Sequence, residues 1–208
     1  MEEIKLISRI LLWSFQIAAF IAAILTWPKY KNTTQNTFLY FLGFVIIIEF
    51  LGYFLPNQFG VKSAYIYNPF IVISGFYYLF WFYKILKIKK LAIILFTVFI
   101  LVIINAIFLE NATKIWKSPL IILALLILIN STVFYSKLLN KKEVVYYNNN
   151  PEFWIVTGLI IFHIGILPLF LFQKYLGIGA FYFRITIAIL NLILYGCFIT
   201  SFLCLRKK

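Results

Sequence analysis

The chain is short of nearly everything that polar chemistry is built from. Among its 208 residues there is one histidine, His163, and six acidic residues, and charged residues of every kind amount to 12%. With one histidine, no cysteine cluster and a single carboxylate inside an apolar run, an ordinary zinc site cannot be assembled, so no metal is expected. Neither a G-x-S-x-G elbow nor a glycine-rich phosphate loop occurs, and no cofactor is expected. The only two cysteines, Cys197 and Cys204, lie in one apolar run. They are about two helical turns apart, too far for a disulfide, and read as small apolar filler.

What is present is apolar. Hydrophobic residues make up 64% and aromatic residues 21%, with a mean hydropathy of +0.99. A soluble domain of this size has too little core to hide that much apolar surface. The apolar residues fall in runs long enough to cross a hydrocarbon layer of about 30 Å. The expected fold is all-α, a polytopic membrane helix bundle forming a single transmembrane domain over 1–208. Its seven spans are expected at about 10–27, 38–55, 69–86, 91–109, 119–139, 152–172 and 184–205. The first run competes with a signal peptide, but it is long and lacks an A-x-A site, so it is read as a retained helix. Connections are short, and NKKEVVYYNNN between spans five and six is the most loop-like.

The net charge of +13 would indicate nucleic acid in a soluble protein. Here Lys and Arg sit between spans and in the tail, so the lipid bilayer is the expected partner and nucleic acid is not. Twelve of the nineteen basic residues fall in the odd-numbered loops and the tail Arg206-Lys207-Lys208, and seven at the other ends. The positive-inside rule then places the N-terminus out and the C-terminus in, in the inner (cytoplasmic) membrane. Lys5 and Arg9 pull mildly the other way, beside Glu2 and Glu3.

The polar residues inside the spans are the candidate site. Ionisable groups there are costly and usually face a bundle interior or a cavity. Glu49 is the one acidic residue deep in a span, with Gly52 and Tyr53 on its face. On the expected orientation Glu49 and His163 lie at nearly the same height and would pair if their spans are neighbours. Gln16, Asn105, Asn191 and Tyr195 complete an expected outward-facing polar set, with Asn130 nearer the midplane. The plainer reading is that intramembrane amides act as glue between helices, and that a lone histidine satisfies a backbone carbonyl. Pro168 removes the partner of the Ile164 carbonyl and is expected to kink or hinge the helix beside His163. Ser14, Ala18 and Ala22 form a small-residue stripe for close helix approach. Ser74, Tyr77, Tyr78 and Trp81 read as packing and interface anchoring rather than a ligand cage. Phe38-x4-Gly43 matches Phe153-x4-Gly158, which would suit parallel repeats in a 3+1+3 arrangement.

Tyr67-Asn68 opening span three, the basic turn after that span, and Phe153-Trp154-Ile155 with Gly158 opening span six resemble a group of uncharacterised seven-helix membrane proteins of Bacteroidetes. Members are often encoded beside sensor histidine kinases, so the resemblance implies a sensing or signalling role with a kinase or other effector as partner. The group's acidic residue early in span three has no counterpart at Ile73-Ser74-Gly75. The leading expectation is therefore a seven-helix sensory or signalling module with a separate cytoplasmic effector. A small transporter or lipid-handling protein using Glu49 as a proton or cation site comes second. An intramembrane enzyme with Glu49 and His163 as acid and base comes third, and the reading leans away from catalysis.

Overall fold

The computed structural model describes residues 2–140, 149–172 and 180–204, with side chains for all of these except 2–8 and 180. Most of the NKKEVVYYNNN connector, the sixth loop with Lys174, the tail Arg206-Lys207-Lys208 and the side chains of Glu2, Glu3 and Lys5 lie outside them. Seven helices follow one another: α1 (Glu2–Tyr30), α2 (Phe38–Phe59), α3 (Ala64–Leu86), α4 (Lys89–Leu109), α5 (Lys117–Leu139), α6 (Pro151–Phe172) and α7 (Ala180–Leu203). All seven are long and apolar enough to cross a membrane, and no strand occurs among the described residues. Large apolar side chains such as Leu25, Phe59 and Phe108, the last 80% exposed, point outward, which suits a lipid-facing surface. The chain is a multi-pass integral membrane protein.

Helix ends depart from the expected ones where local bonding overrides a sequence signal. α3 begins five residues before Pro69, because the Ser63 carbonyl accepts the amides of Ile66 and Tyr67, both at 3.0 Å, and starts the helix there. Pro69 then costs only one early backbone bond. α1 likewise runs through Pro28 to Tyr30, whose hydroxyl folds back to donate to the Ala23 carbonyl at 2.7 Å.

The residues group into two compact units, 1–42 with 131–208 and 43–130, and the divisions fall inside α2 and α5. In the first unit α7 packs against both α1 and α6. Lipid offers no hydrophobic push between helices, so close contact depends on small residues. Gly158 and Gly165, two turns apart on one face of α6, supply it. A Cβ on Gly158 would stand 2.8 Å from the Cys197 Cβ and 3.3 Å from the Leu194 carbonyl, and one on Gly165 would run into Leu190. On α1 the buried face runs through Gln16, Ala19, Ala23 and Thr26. The expected stripe is thus rotated, since Ser14 and Ala18 are exposed and only Ala22 is buried.

In the second unit α3 packs on α4 across Gly75, where a Cβ would collide with the Phe99 ring. Phe76 stacks on Phe96 beside it. Only Lys87 and Ile88 join the two helices, and Lys87 caps α3 at φ 55°, a left-handed conformation usually left to glycine. The connector from α4 to α5 is clamped twice. Glu110 accepts the first amides of α5, from Lys117 at 2.7 Å and Ser118 at 3.0 Å, where a carboxylate also meets the positive end of the helix dipole. Asn68 donates to the Lys114 carbonyl at 3.0 Å and accepts from the Trp116 amide at 2.9 Å.

Candidate functional site

Polar side chains inside these helices divide by whether they can donate a hydrogen bond. A helical carbonyl keeps a second lone pair, and a donor four residues later can fold back onto it. That happens repeatedly here. Thr26 donates to Ala22 at 2.6 Å, Asn130 to Leu126 at 3.0 Å, Thr157 to Phe153 at 2.7 Å and Asn191 to Ile187 at 2.8 Å.

His163 belongs to the same class. It is buried on the apolar stripe that includes Leu159 and Ile166, edge-on to Phe162, and its Nδ1 lies 2.7 Å from the Leu159 carbonyl. A carbonyl only accepts, so Nδ1 carries the proton and donates. The helix that carries the histidine satisfies that nitrogen by itself. α6 continues unbroken through the exposed Pro168 to Phe172.

Glu49 differs in kind. An ionised carboxylate accepts and cannot fold back onto a carbonyl, so a donor must come from elsewhere. It comes from α3: the Tyr67 hydroxyl donates to Glu49 Oε2 at 3.2 Å. The route passes over Gly52, where an added Cβ would stand 2.6 Å from the Tyr67 hydroxyl and 2.8 Å from the ring carbon that bears it. The glycine three residues after Glu49 therefore opens the lane by which the phenol arrives. Glu49 and Tyr67 are both half-buried.

Of the other expected residues, the fold joins Gln16 and Tyr195. The Gln16 amide donates to the Tyr195 hydroxyl at 3.2 Å, both buried, tying α1 to α7. Asn105 is exposed on α4, as is Thr97. The partners found for Glu49 and His163 lie within their own units, Tyr67 for one and Leu159 for the other. Trp81 and Tyr78 are buried and pack, with Trp81 edge-on to Phe82 at 5.3 Å.

Three contacts have no forecast in the sequence reading. Thr34 donates to Glu152 at 2.6 Å, Tyr135 and Thr157 share a 2.7 Å hydrogen bond, and Asn68 holds the α4–α5 connector. Asn68 carried the best available signal, an amide immediately before Pro69, but that pair reads as a turn when taken alone. Among the described residues no group of three or more His, Cys, Asp or Glu side chains is placed to hold a metal ion. No family model, curated protein or solved structure matches the chain.

Proposed function

We propose that the protein is a sensory or signalling module of the inner (cytoplasmic) membrane, set N-terminus out and C-terminus in, that acts through a separate effector such as a membrane sensor kinase. One observation carries the reading: the carboxylate of Glu49, within a membrane-crossing helix, is held by a phenol from the next helix across a glycine. Such a contact has two arrangements, with the phenol on the carboxylate or off it. A small cationic or hydrogen-bond-donating ligand that takes the place of Tyr67 at Glu49 shifts the balance between them. On this orientation Tyr67 lies toward the outer end of α3 and the lysine-rich turn at Lys84, Lys87, Lys89 and Lys90 at the inner end. A displacement of α3 at its outer end is then delivered to the cytoplasmic face, where the effector reads it. The resemblance of Tyr67-Asn68 and of the basic turn to kinase-associated membrane proteins points the same way.

A half-buried carboxylate midway along a span also favours a second reading, a small transporter with Glu49 as its proton or cation site. Two measurements on the full chain separate the readings. Tagged protein is purified from its own membranes, and its co-purifying proteins are compared with those of Glu49→Gln. The signalling reading expects an effector in both samples, with its output altered in the variant. An absent effector, together with proton-coupled uptake into proteoliposomes that Glu49→Gln abolishes, would put the transporter in its place.

A further inference from the structure

The α3–α4 turn, used above only to mark one end of α3, combines two properties of its own. The first is charge of one sign. Lys84, Lys87, Lys89 and Lys90 fall within seven residues, and no acidic residue occurs between Glu49 and Glu110 to offset them. Lys87, Lys89 and Lys90 are exposed, while Lys84 lays its ammonium 4.7 Å from the centre of the Phe80 ring. Because α3 and α4 are joined by only two residues, with Lys87 in a left-handed cap, these charges are held close together.

The second property is an apolar crevice that begins directly beneath them. Its walls include Leu79, Phe82 and Leu86 of α3 and Leu91, Leu95 and Phe96 of α4, and the Asn130 side chain is the one amide on its lining. The enclosed part measures about 10 Å³, room for about one water, so it is a shallow seam and not a chamber, and anything it takes must lie along its surface. A soluble anion would satisfy the lysines and leave the crevice unused, and a neutral lipid would do the reverse.

We infer that the α3–α4 turn and the crevice below it form a binding site for an anionic glycerophospholipid, with the lysines on its phosphate and one acyl chain along the α3–α4 seam. Charge complementarity selects the headgroup, because each lysine near a lipid surface favours an anionic neighbour and α3, α4 and their turn carry no carboxylate. The Lys84 ammonium lies over Phe80, one turn back along α3, so the headgroup is left chiefly to Lys87, Lys89 and Lys90. This site stands independently of the effector reading. A lipid bound there would fix the inner end of α3 whichever partner the protein has.

The test uses the full chain, delipidated in detergent and titrated with phosphatidylglycerol or phosphatidylcholine of identical acyl chains, with bound lipid counted by native mass spectrometry. The wild type is expected to prefer phosphatidylglycerol by ~10-fold or more. The triple variant K87Q/K89Q/K90Q should lose that preference and still bind both lipids at the level of phosphatidylcholine. Ala92→Phe, which fills the crevice from α4, should weaken both lipids alike and leave the headgroup preference in place. Equal binding of the two lipids by the wild type overturns the proposal, as does a preference that survives the triple variant. Displacement of phosphatidylglycerol by free glycerol phosphate at similar concentration would make this a soluble-anion site and overturn the lipid assignment. A circular-dichroism check that each variant keeps the helix content of the wild type ensures that lost binding is read from folded protein.

Discussion

Glu49 on α2 and His163 on α6 have the same standing in the sequence: each is the lone ionisable residue of its kind deep in an apolar run. The fold treats them in opposite ways. His163 can donate through Nδ1 and finds an acceptor 2.7 Å away on its own helix, so that proton asks nothing of a neighbour. Glu49 can only accept when ionised, and it draws Tyr67 from another helix over a position where an added Cβ would meet the phenol. Inside a membrane, then, the informative question about a polar residue is whether its own helix can satisfy it. Donors such as Thr26, Asn130, Thr157 and Asn191 pass that test on their own helices, while Gln16 and Tyr67 spend theirs on a neighbouring helix. Acceptor-only groups fail it and must recruit a partner, which makes their contacts long-range and displaceable.

Five substitutions and one double variant break or sharpen this contrast, each read as a shift in unfolding midpoint of the purified protein in detergent. Gly158→Leu should have the largest effect, roughly 3 kcal/mol, because its side chain meets the Leu194 backbone carbonyl and Cys197 across the α6–α7 seam. If it is tolerated, α6 is not held by its small residues, and His163 regains a claim to that role. Gly52→Ala comes next. Its methyl group displaces the end of the Tyr67 side chain, which can swing away, so the expected cost is about 1–2 kcal/mol and should match that of Tyr67→Phe. The double variant should cost little more than either single one. Additive costs would mean that the glycine and the phenol do not act on the same contact.

Gln16→Leu removes the amide that ties α1 to Tyr195 and should cost about 0.6–1 kcal/mol, the usual scale of an interhelical hydrogen bond in lipid. Least affected should be His163→Leu. The Leu159 carbonyl keeps its helical partner, the volume is similar, and the change expected is about 0.5 kcal/mol or less. A loss as large as that of Tyr67→Phe would show that His163 has work beyond its own helix.

The candidate site was only half legible in the residues. Glu49, Gly52 and their shared face could be read from spacing alone, yet Tyr67 could not be matched to them, because a start of α3 near Pro69 leaves Tyr67 outside the helix. The helix begins instead at Ala64, which brings Tyr67 into its first turn. Gly158 stood out in its pairing with Phe153, but the reason for it is a carbonyl on α7 that no local pattern can point to. Asn105 was placed in the polar set by height, and height says nothing about angle, so its exposure on α4 was beyond reach.

By itself, the sequence determined seven membrane-crossing helices, their short connections, the lysine turn between the third and fourth, and the small stock of polar groups. It can do so because hydropathy is read along the chain and a helix closes its own backbone bonds without help from its neighbours. Only the tertiary structure decided which of those groups meet: Tyr67 with Glu49, Gln16 with Tyr195, Asn68 with the connector after α4. Those choices depend on where each helix starts, how it is turned and how closely a neighbour can approach. A difference of five residues at the head of α3 or one methyl group at Gly52 is enough to change them.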